Sequence, residues 1–261
     1  MRVHVLASGS TGNAVYIEMG GKRLLVDAGI SSRRITAGLH DVGVDPSQLD
    51  AIFITHEHRD HIQGLDVFCR RYQRPVYARA GTWDGIGCRD NLPADCRNDL
   101  KDSLNLGSLR VDCIPISHDA NDPVGFIFRQ GESQIANITD IGCINSTLIR
   151  SLAGSDIMVL ESNHDSEMLK SGPYPPYLKR RISSSNGHLS NLECGRLLSL
   201  VEKPSRRIPH VLLAHISQQN NQPQLAMASV EQELRKGGYI PGCDIMLHLT
   251  HATSCSSVVL D

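Results

Sequence analysis

The sequence predicts an α/β fold with metal-ligand side chains gathered at strand ends, and three observations carry that prediction. Short apolar runs of strand length recur between segments of helical periodicity along the chain. Hydrophobic residues fill 40% of the 261 positions, enough for a sizeable core. The apolar run Ala51-Ile52-Phe53-Ile54 opens directly onto Thr55-His56-Glu57-His58-Arg59-Asp60-His61, which packs three histidines and two carboxylates into seven residues. No linker interrupts the pattern, so one domain over residues 1–261 is expected.

In chain order, Val3 and Val5 alternate with polar neighbours, and Ser8 to Asn13 forms a Gly-rich loop. That loop joins two strands and lacks the lysine of a nucleotide-binding loop, so it reads as turn chemistry. Ala14 to Ile17 resumes as strand up to the Gly20-Gly21 hairpin, and Arg23 to Asp27 returns buried. Ser31 or Ser32 caps a helix through about Val42, and the strand at 51–55 delivers the histidine motif. A helix follows from Asp60 to about Tyr72, then a short strand at Pro75-Val76-Tyr77. The stretch from Gly81 to Asn105 is poorly patterned and allows short helical turns at best. Strands are expected from Leu109 to Ser117, Val124 to Arg129 and Gln134 to Thr139, ending at His118, Gln130-Gly131 and Asp140. A helix near Asn145 to Leu152 leads to a strand from Asp156 to Leu160, and the proline-rich stretch Ser171 to Tyr177 reads as loop. Ser190-Asn191-Leu192-Glu193 is a capping box that starts a helix to about Glu202. Pro209 to Ala214 is a strand ending at His215, Gln224 to Arg235 a helix, and Asp244 to Leu249 the last clear strand.

The motif after the strand at 51–55 has the chemistry of a metal site. Imidazole nitrogens and carboxylate oxygens suit zinc, manganese or iron, and four such groups cannot be buried cheaply without a cation to pair with. On an extended loop His56 and His58 point the same way and grip one metal, while Asp60 and His61 begin the next helix and face elsewhere, towards a second.

Composition narrows the class. The formal charge of −2 and pI near 6.6 give no global basic signal, leaving local clusters at Arg33-Arg34, Arg70-Arg71, Lys179-Arg180-Arg181 and Arg206-Arg207. Eight cysteines are scattered without a C-x-x-C pair and read as reduced thiols. No stretch has the length of a signal peptide's apolar region or a membrane span, so a cytoplasmic location without membrane association is expected.

The ligand-type residues at strand ends, His56, His58, Asp60, His61, His118, Asp140 and His215, come in an order that resembles the metallo-β-lactamase superfamily. The resemblance implies a four-layer αββα sandwich holding two divalent metals, zinc or manganese with iron compatible. It further implies His56, His58 and His118 on one metal, Asp60, His61 and His215 on the other, and Asp140 bridging. The second half is similar to the small bacterial YycJ/WalJ branch, in Glu161-Ser162-Asn163-His164-Asp165, Gly172-Pro173-Tyr174-Pro175, Gly187-His188-Leu189-Ser190-Asn191 and Ala214-His215-Ile216-Ser217. That branch implies a DNA 5′-to-3′ exonuclease with a link to mismatch repair and kinship to RNase Z and a phosphonate-pathway phosphodiesterase. Arg59 departs from the pattern, standing where the family usually has Ser or Thr, and would contact a phosphate or simply be exposed. The short spacing from Asp140 to His215 leaves no room for the cap domain of larger relatives.

The expected mechanism is two-metal phosphodiester hydrolysis, with Asp60 fixing an oxygen-rich second site and His188, before a capped helix, protonating the leaving oxygen. Glu161 and His164 are expected to orient His188 or a ligand. Tyr174 and Lys179 would stack on a terminal base and hold backbone phosphates of a nucleic-acid substrate, DNA above all. Two other readings compete: a hydrolase of a small phosphodiester or thioester on the same fold, and a non-catalytic, metal-dependent interaction protein.

Overall fold

The computed structural model describes residues 1–204 and 207–260, so Arg206 of the basic pair lies outside the described residues. The chain runs β1 (Arg2–Ala7), β2 (Ala14–Met19), β3 (Lys22–Val26), α1 (Ser32–Asp41), β4 (Ala51–Phe53), α2 (Arg59–Ile62), α3 (Leu65–Tyr72), β5 (Val76–Ala78) and α4 (Ala80–Gly85). It continues through β6 (Arg97–Asp99), β7 (Ser103–Leu106), β8 (Leu109–Pro115), β9 (Val124–Gln130), β10 (Ser133–Ile138), α5 (Ser146–Leu152), β11 (Ile157–Glu161), α6 (Ser166–Ser171) and α7 (Pro176–Ile182). It ends with α8 (Asn191–Leu200), β12 (His210–Ala214), α9 (Pro223–Lys236), β13 (Met246–Leu249) and β14 (Ser256–Val259). The strands form two mixed seven-stranded sheets, and the chain divides into two compact units.

The first unit takes Met1–Cys113, Ala120–Val124 and the stretch from His251 onward. Its sheet has the order β14-β1-β2-β3-β4-β5-β6. The strands β14, β1, β2 and β3 pair antiparallel, and β3 to β6 pair parallel. The parallel part aligns the C-terminal ends of β3 and β4, which places Asp27 beside Thr55 at one edge. Leu25, Ile52, Ile35, Phe68 and Trp83 belong to one buried hydrophobic core against this sheet. The second unit takes Ile114–Asp119 and Gly125–Thr250. Here β9 and β10 pair antiparallel, and β10, β11, β12 and β13 pair parallel, so Asp140, Glu161 and His215 follow or end three adjacent parallel strands. Leu160, Leu213, Leu197 and Val230 centre its core. The α8 and α9 helices approach closely there because Gly195 has no side chain: a Cβ at that position would lie 2.6 Å from Glu233 Cβ.

Several local expectations are corrected. The helix expected from Asp60 to Tyr72 is two helices, the first beginning one residue earlier, at Arg59, after His58. The break comes at Gly64, whose backbone N–H donates to Ala28 O and where a Cβ would meet Ile30 O at 2.0 Å. The unpatterned stretch 81–105 contains most of α4 and the strands β6 and β7. The Ser171–Tyr177 loop runs into α7 at Pro176, because a proline at the first helical position loses no hydrogen bond there. A further strand, β14, follows the last expected one and gains its stability from pairing with β1. Ser31, not Ser32, caps α1, and the Ser190–Glu193 capping box is formed as the spacing predicts.

Candidate metal centre

The first unit carries His56, His58, Asp60 and His61 on the segment that leaves β4 and opens α2. His56 Nε2 lies 3.0 Å from His58 Nδ1, so these two ring nitrogens converge as the alternation along an extended segment requires. Asp60 and His61 meet each other at the start of α2, with His61 Nε2 3.6 Å from Asp60 Oδ2, while the His61 ring centroid stays 4.0 Å from that of His56. The reason lies in Asp27. One of its carboxylate oxygens accepts from Thr55 N at 2.9 Å, and the other lies 2.8 Å from His61 Nδ1. The Thr55 hydroxyl donates to the same carboxylate and stands 3.0 Å from His56 Nδ1. Asp27 therefore holds His61 directly and His56 through Thr55. Asn13 adds its amide, 3.1 Å from His61 Nε2 and donating to Asp60 O. Burial pushes the Asp27 carboxyl up from its ordinary value against the opposing pull of His61 and Thr55.

The second unit carries His118, Asp140, Glu161, His164, His188 and His215. Asp140, Glu161, His188 and His215 each bring a ligand atom within 4.8 Å of one another. Glu161 organises them. Its Oε1 is 2.8 Å from His188 Nδ1 and 3.0 Å from His215 Nδ1, while its Oε2 accepts from the backbone of Ile141 and Leu189. Burial alone would raise this carboxyl, but the charges of and hydrogen bonds from His188 and His215 outweigh it and hold Glu161 below the usual carboxylate range. Asp140 Oδ1 lies 3.6 Å from both His188 Nδ1 and His215 Nδ1 and 3.9 Å from His118 Nε2. His118 Nδ1 pairs with Gly187 O at 3.1 Å, and burial lowers its pKa, so the ring is neutral near pH 7.

In both units the pattern is the same. A carboxylate or carbonyl takes one ring nitrogen of His61, His118 and His215, which fixes the tautomer that presents Nε2 as the ligand atom. Neutral, pre-oriented imidazoles interspersed with carboxylates are the donor chemistry of a divalent cation. Backbone conformation supports a functional reading. Asp27, Asp140 and His215 all adopt left-handed backbone, with φ of 62°, 60° and 54°. Such residues cost on the order of 1–3 kcal/mol each and cluster at functional sites.

The remaining candidates fall as follows. The His164 Nδ1 is buried without a hydrogen-bond partner, and Glu161 orients His188 without it. Arg59 is exposed on α2 and makes no side-chain hydrogen bond or ion pair among the described residues. Tyr174 is half-buried, and Lys179 Nζ donates to Lys170 O at 2.7 Å. Asp27 and Thr55 were given no role from the sequence, where the one signal was a polar residue closing a buried strand; Asn13 was noted only within the Gly-rich loop.

Comparison with known proteins agrees with this geometry. The family described as the beta-lactamase superfamily domain matches residues 22–216. The chain is 38% identical to exodeoxyribonuclease YycJ of Bacillus anthracis, covering 94% of each chain. It is 34% identical to exodeoxyribonuclease WalJ of Streptococcus pneumoniae, covering 94% of this chain and 93% of that one. In structure it resembles the metallo-β-lactamase fold protein YhfI of Bacillus subtilis, with a TM-score of 0.73 at 15% identity over 98% of both chains. Among the described residues no helix is long and apolar enough to cross a membrane. With its strand-end histidines and carboxylates on two mixed sheets, the chain belongs to the metallo-β-lactamase superfamily and is a metal-dependent hydrolase.

Proposed function

We propose that this hydrolase is a two-metal phosphodiesterase that removes nucleotides from DNA in the 5′-to-3′ direction, acting as one domain in the cytoplasm and serving DNA repair. The observation that carries a phosphodiester reading is the Glu161–His188 pair, 2.8 Å apart, beside Asp140. Hydrolysis of a phosphodiester expels a sugar oxygen that needs a proton, and an imidazole fixed at Nδ1 offers Nε2 as the atom that delivers it. The choice of DNA is supported by the two exodeoxyribonuclease relatives, which match nearly the whole length of this chain.

The reading assigns His56, His58 and His118 to one divalent ion and Asp60, His61 and His215 to the other, with Asp140 shared; zinc and manganese suit these donors, and iron is compatible. When bound, such ions supply Lewis-acid activation of water and neutralise charge on the phosphate oxygens. The chain's own contributions are orientation and proton delivery. Asp27 and Thr55 fix the rings of His61 and His56, and Glu161 fixes those of His215 and His188. The reading further gives Arg59, exposed without an ion-pair partner among the described residues, a backbone phosphate to contact, and half-buried Tyr174 a base.

The test is digestion of 5′- and 3′-labelled DNA, duplex and single-stranded, by protein refilled with Mn²⁺ or Zn²⁺, alongside His58→Ala and His188→Ala. Loss of nucleotides from 5′ ends that vanishes in His58→Ala and falls greatly in His188→Ala is the expected result. A metal-loaded wild type that leaves every DNA intact while cleaving a simple phosphodiester or a thioester overturns the DNA claim.

A further inference from the structure

The second unit contains a cavity of about 270 Å³ whose walls hold no carboxylate. Three cations line it, Lys170 from α6 and Lys179 and Arg180 from α7, together with the hydroxyls of Ser166 and Ser183 and the ring of His164. Lys170 and Arg180 have no side-chain hydrogen bond or ion pair among the described residues, and Ser183 is held by donating to Lys179 O. His164 is 3% exposed, and its Nδ1 is buried with no hydrogen-bond partner. The nearest acidic residue in sequence, Asp165, is already engaged: its carboxylate accepts from Glu167 N and Met168 N at the start of α6. Cations concentrated in a concave site, with the Ser166 hydroxyl beside them and no carboxylate among the lining side chains, leave an excess of positive potential that an anion would satisfy, because the carboxylates that act on His164, those of Glu161, Glu193 and Asp165, are held by their own partners.

The cavity is tied to the proposed proton donor by backbone. His164 bridges Ser190 in parallel, Asn191 N donates to His164 O at 2.9 Å, and Asn163 N donates to Leu189 O. One wall of the cavity is thus anchored to the segment that begins with His188. The next residue of α7, Arg181, is spent on Asp119, with its Nε 2.5 Å from Asp119 Oδ2. The helix therefore divides its basic cluster: Arg181 is held by an ion pair, Lys179 lines the cavity with its Nζ on Lys170 O, and Arg180 lines it with no side-chain partner among the described residues.

We infer that this cavity is a phosphate subsite, which grips a phosphate group of the strand other than the one being cleaved. The inference rests on the phosphodiesterase reading for its role, though the anion site itself stands on the cavity alone. At about 270 Å³ the space lies just under the roughly 300–1,000 Å³ of whole-ligand pockets, so it fits a phosphate with part of its sugar rather than a complete nucleotide.

The probes are inorganic phosphate and a phosphorothioate oligonucleotide that resists cleavage, titrated into zinc-loaded, ¹⁵N-histidine-labelled protein, wild type and Lys170→Ala/Arg180→Ala. The His164 ring signals should shift on adding either probe, and the double variant should weaken the apparent Kd read at His164 at least tenfold while the shift at His118 persists. Competition between the probes at His164 identifies the strand as the source of the phosphate. Inorganic phosphate binding that the oligonucleotide fails to displace makes this an anion site for free phosphate and removes the strand role. A His164 ring that responds to neither probe, or whose shift survives in the double variant, overturns the subsite altogether. Failure of wild-type protein to degrade DNA, with the His164 shifts intact, strikes the nuclease reading and leaves the anion site standing.

Discussion

Glu161 Oε1 lies 2.8 Å from His188 Nδ1, and the whole carboxylate is buried. Four donors surround it: the rings of His188 and His215 and the backbone N–H groups of Ile141 and Leu189. A glutamine offers one acceptor oxygen and turns an N–H₂ group towards the other donors. In Glu161→Gln, two buried donors then face a donor, and stability should fall by about 3 kcal/mol, in the range for breaking one side of a buried charged pair. Urea unfolding above pH 6 measures this. Because the folded-state pKa of Glu161 is held below its ordinary value of 4.5, its contribution is present above that pH and is lost as pH falls below it. The difference between wild type and variant should accordingly shrink on acidification below pH 4.5, and a difference that grows there would contradict an ionised Glu161.

His188→Ala should lower kcat on a DNA end by about 10²–10⁴-fold, the usual contribution of a positioned general acid. The loss should be much smaller on bis(p-nitrophenyl) phosphate, whose leaving group departs without a proton. Metal content measured on the same preparations should match wild type, since the proposed ligand set omits His188. Equal losses on both substrates would reassign His188 from proton delivery to a structural or metal-holding part.

Asp27→Asn should weaken metal binding by about 10–100-fold, as removal of an orienting partner behind a histidine ligand does. Asn tolerates the left-handed backbone that Asp27 adopts at φ 62°, so the substitution tests the carboxylate rather than the turn. Competition against a chelator gives the affinity. An unchanged value would mean that Thr55 and Asn13 fix the His61 and His56 rings on their own.

The contrast between Asp27 and the histidine motif shows what a sequence can disclose. The H-x-H-x-D-H segment is legible because its donors are close in the chain, and a run of such residues after a strand has no cheap buried state without a cation. Asp27 looks like the polar end of an ordinary strand. Its importance comes from the parallel register of β3 with β4, which sets it beside Thr55, and from the left-handed φ that turns its side chain to His61. The break at Gly64 and the strand β14 were hidden for the same reason: one depends on the approach of Ile30 O, the other on pairing with β1, 250 or so residues earlier in the chain. Glu161 was legible as a partner that orients His188 or a ligand, but not as the centre of the cluster, because its four donors come from three separate segments.

Buried histidines set a different pH window. Burial lowers the pKa values of His118 and His164 from their ordinary 6.5, so the folded rings stay neutral while the unfolded chain takes up protons. The unfolded state then binds more protons as pH falls through 6.5, and stability must fall with it, by up to about 1.4 kcal/mol per pH unit for each group until the folded ring also protonates. Asp27 pulls the other way: the folded state takes up its proton at a pKa raised above the ordinary 3.8, which adds stability as pH falls through that raised value, equally in wild type and in a His164 variant. Between pH 7.5 and 5.5, metal-chelated His164→Asn should therefore lose about 1 kcal/mol less stability on acidification than metal-chelated wild type. Urea midpoints at three pH values decide it. A parallel pH dependence in the two proteins would mean that the His164 ring accepts a proton in the folded state near its ordinary value, which a ring 3% exposed among Lys170, Lys179 and Arg180 should resist.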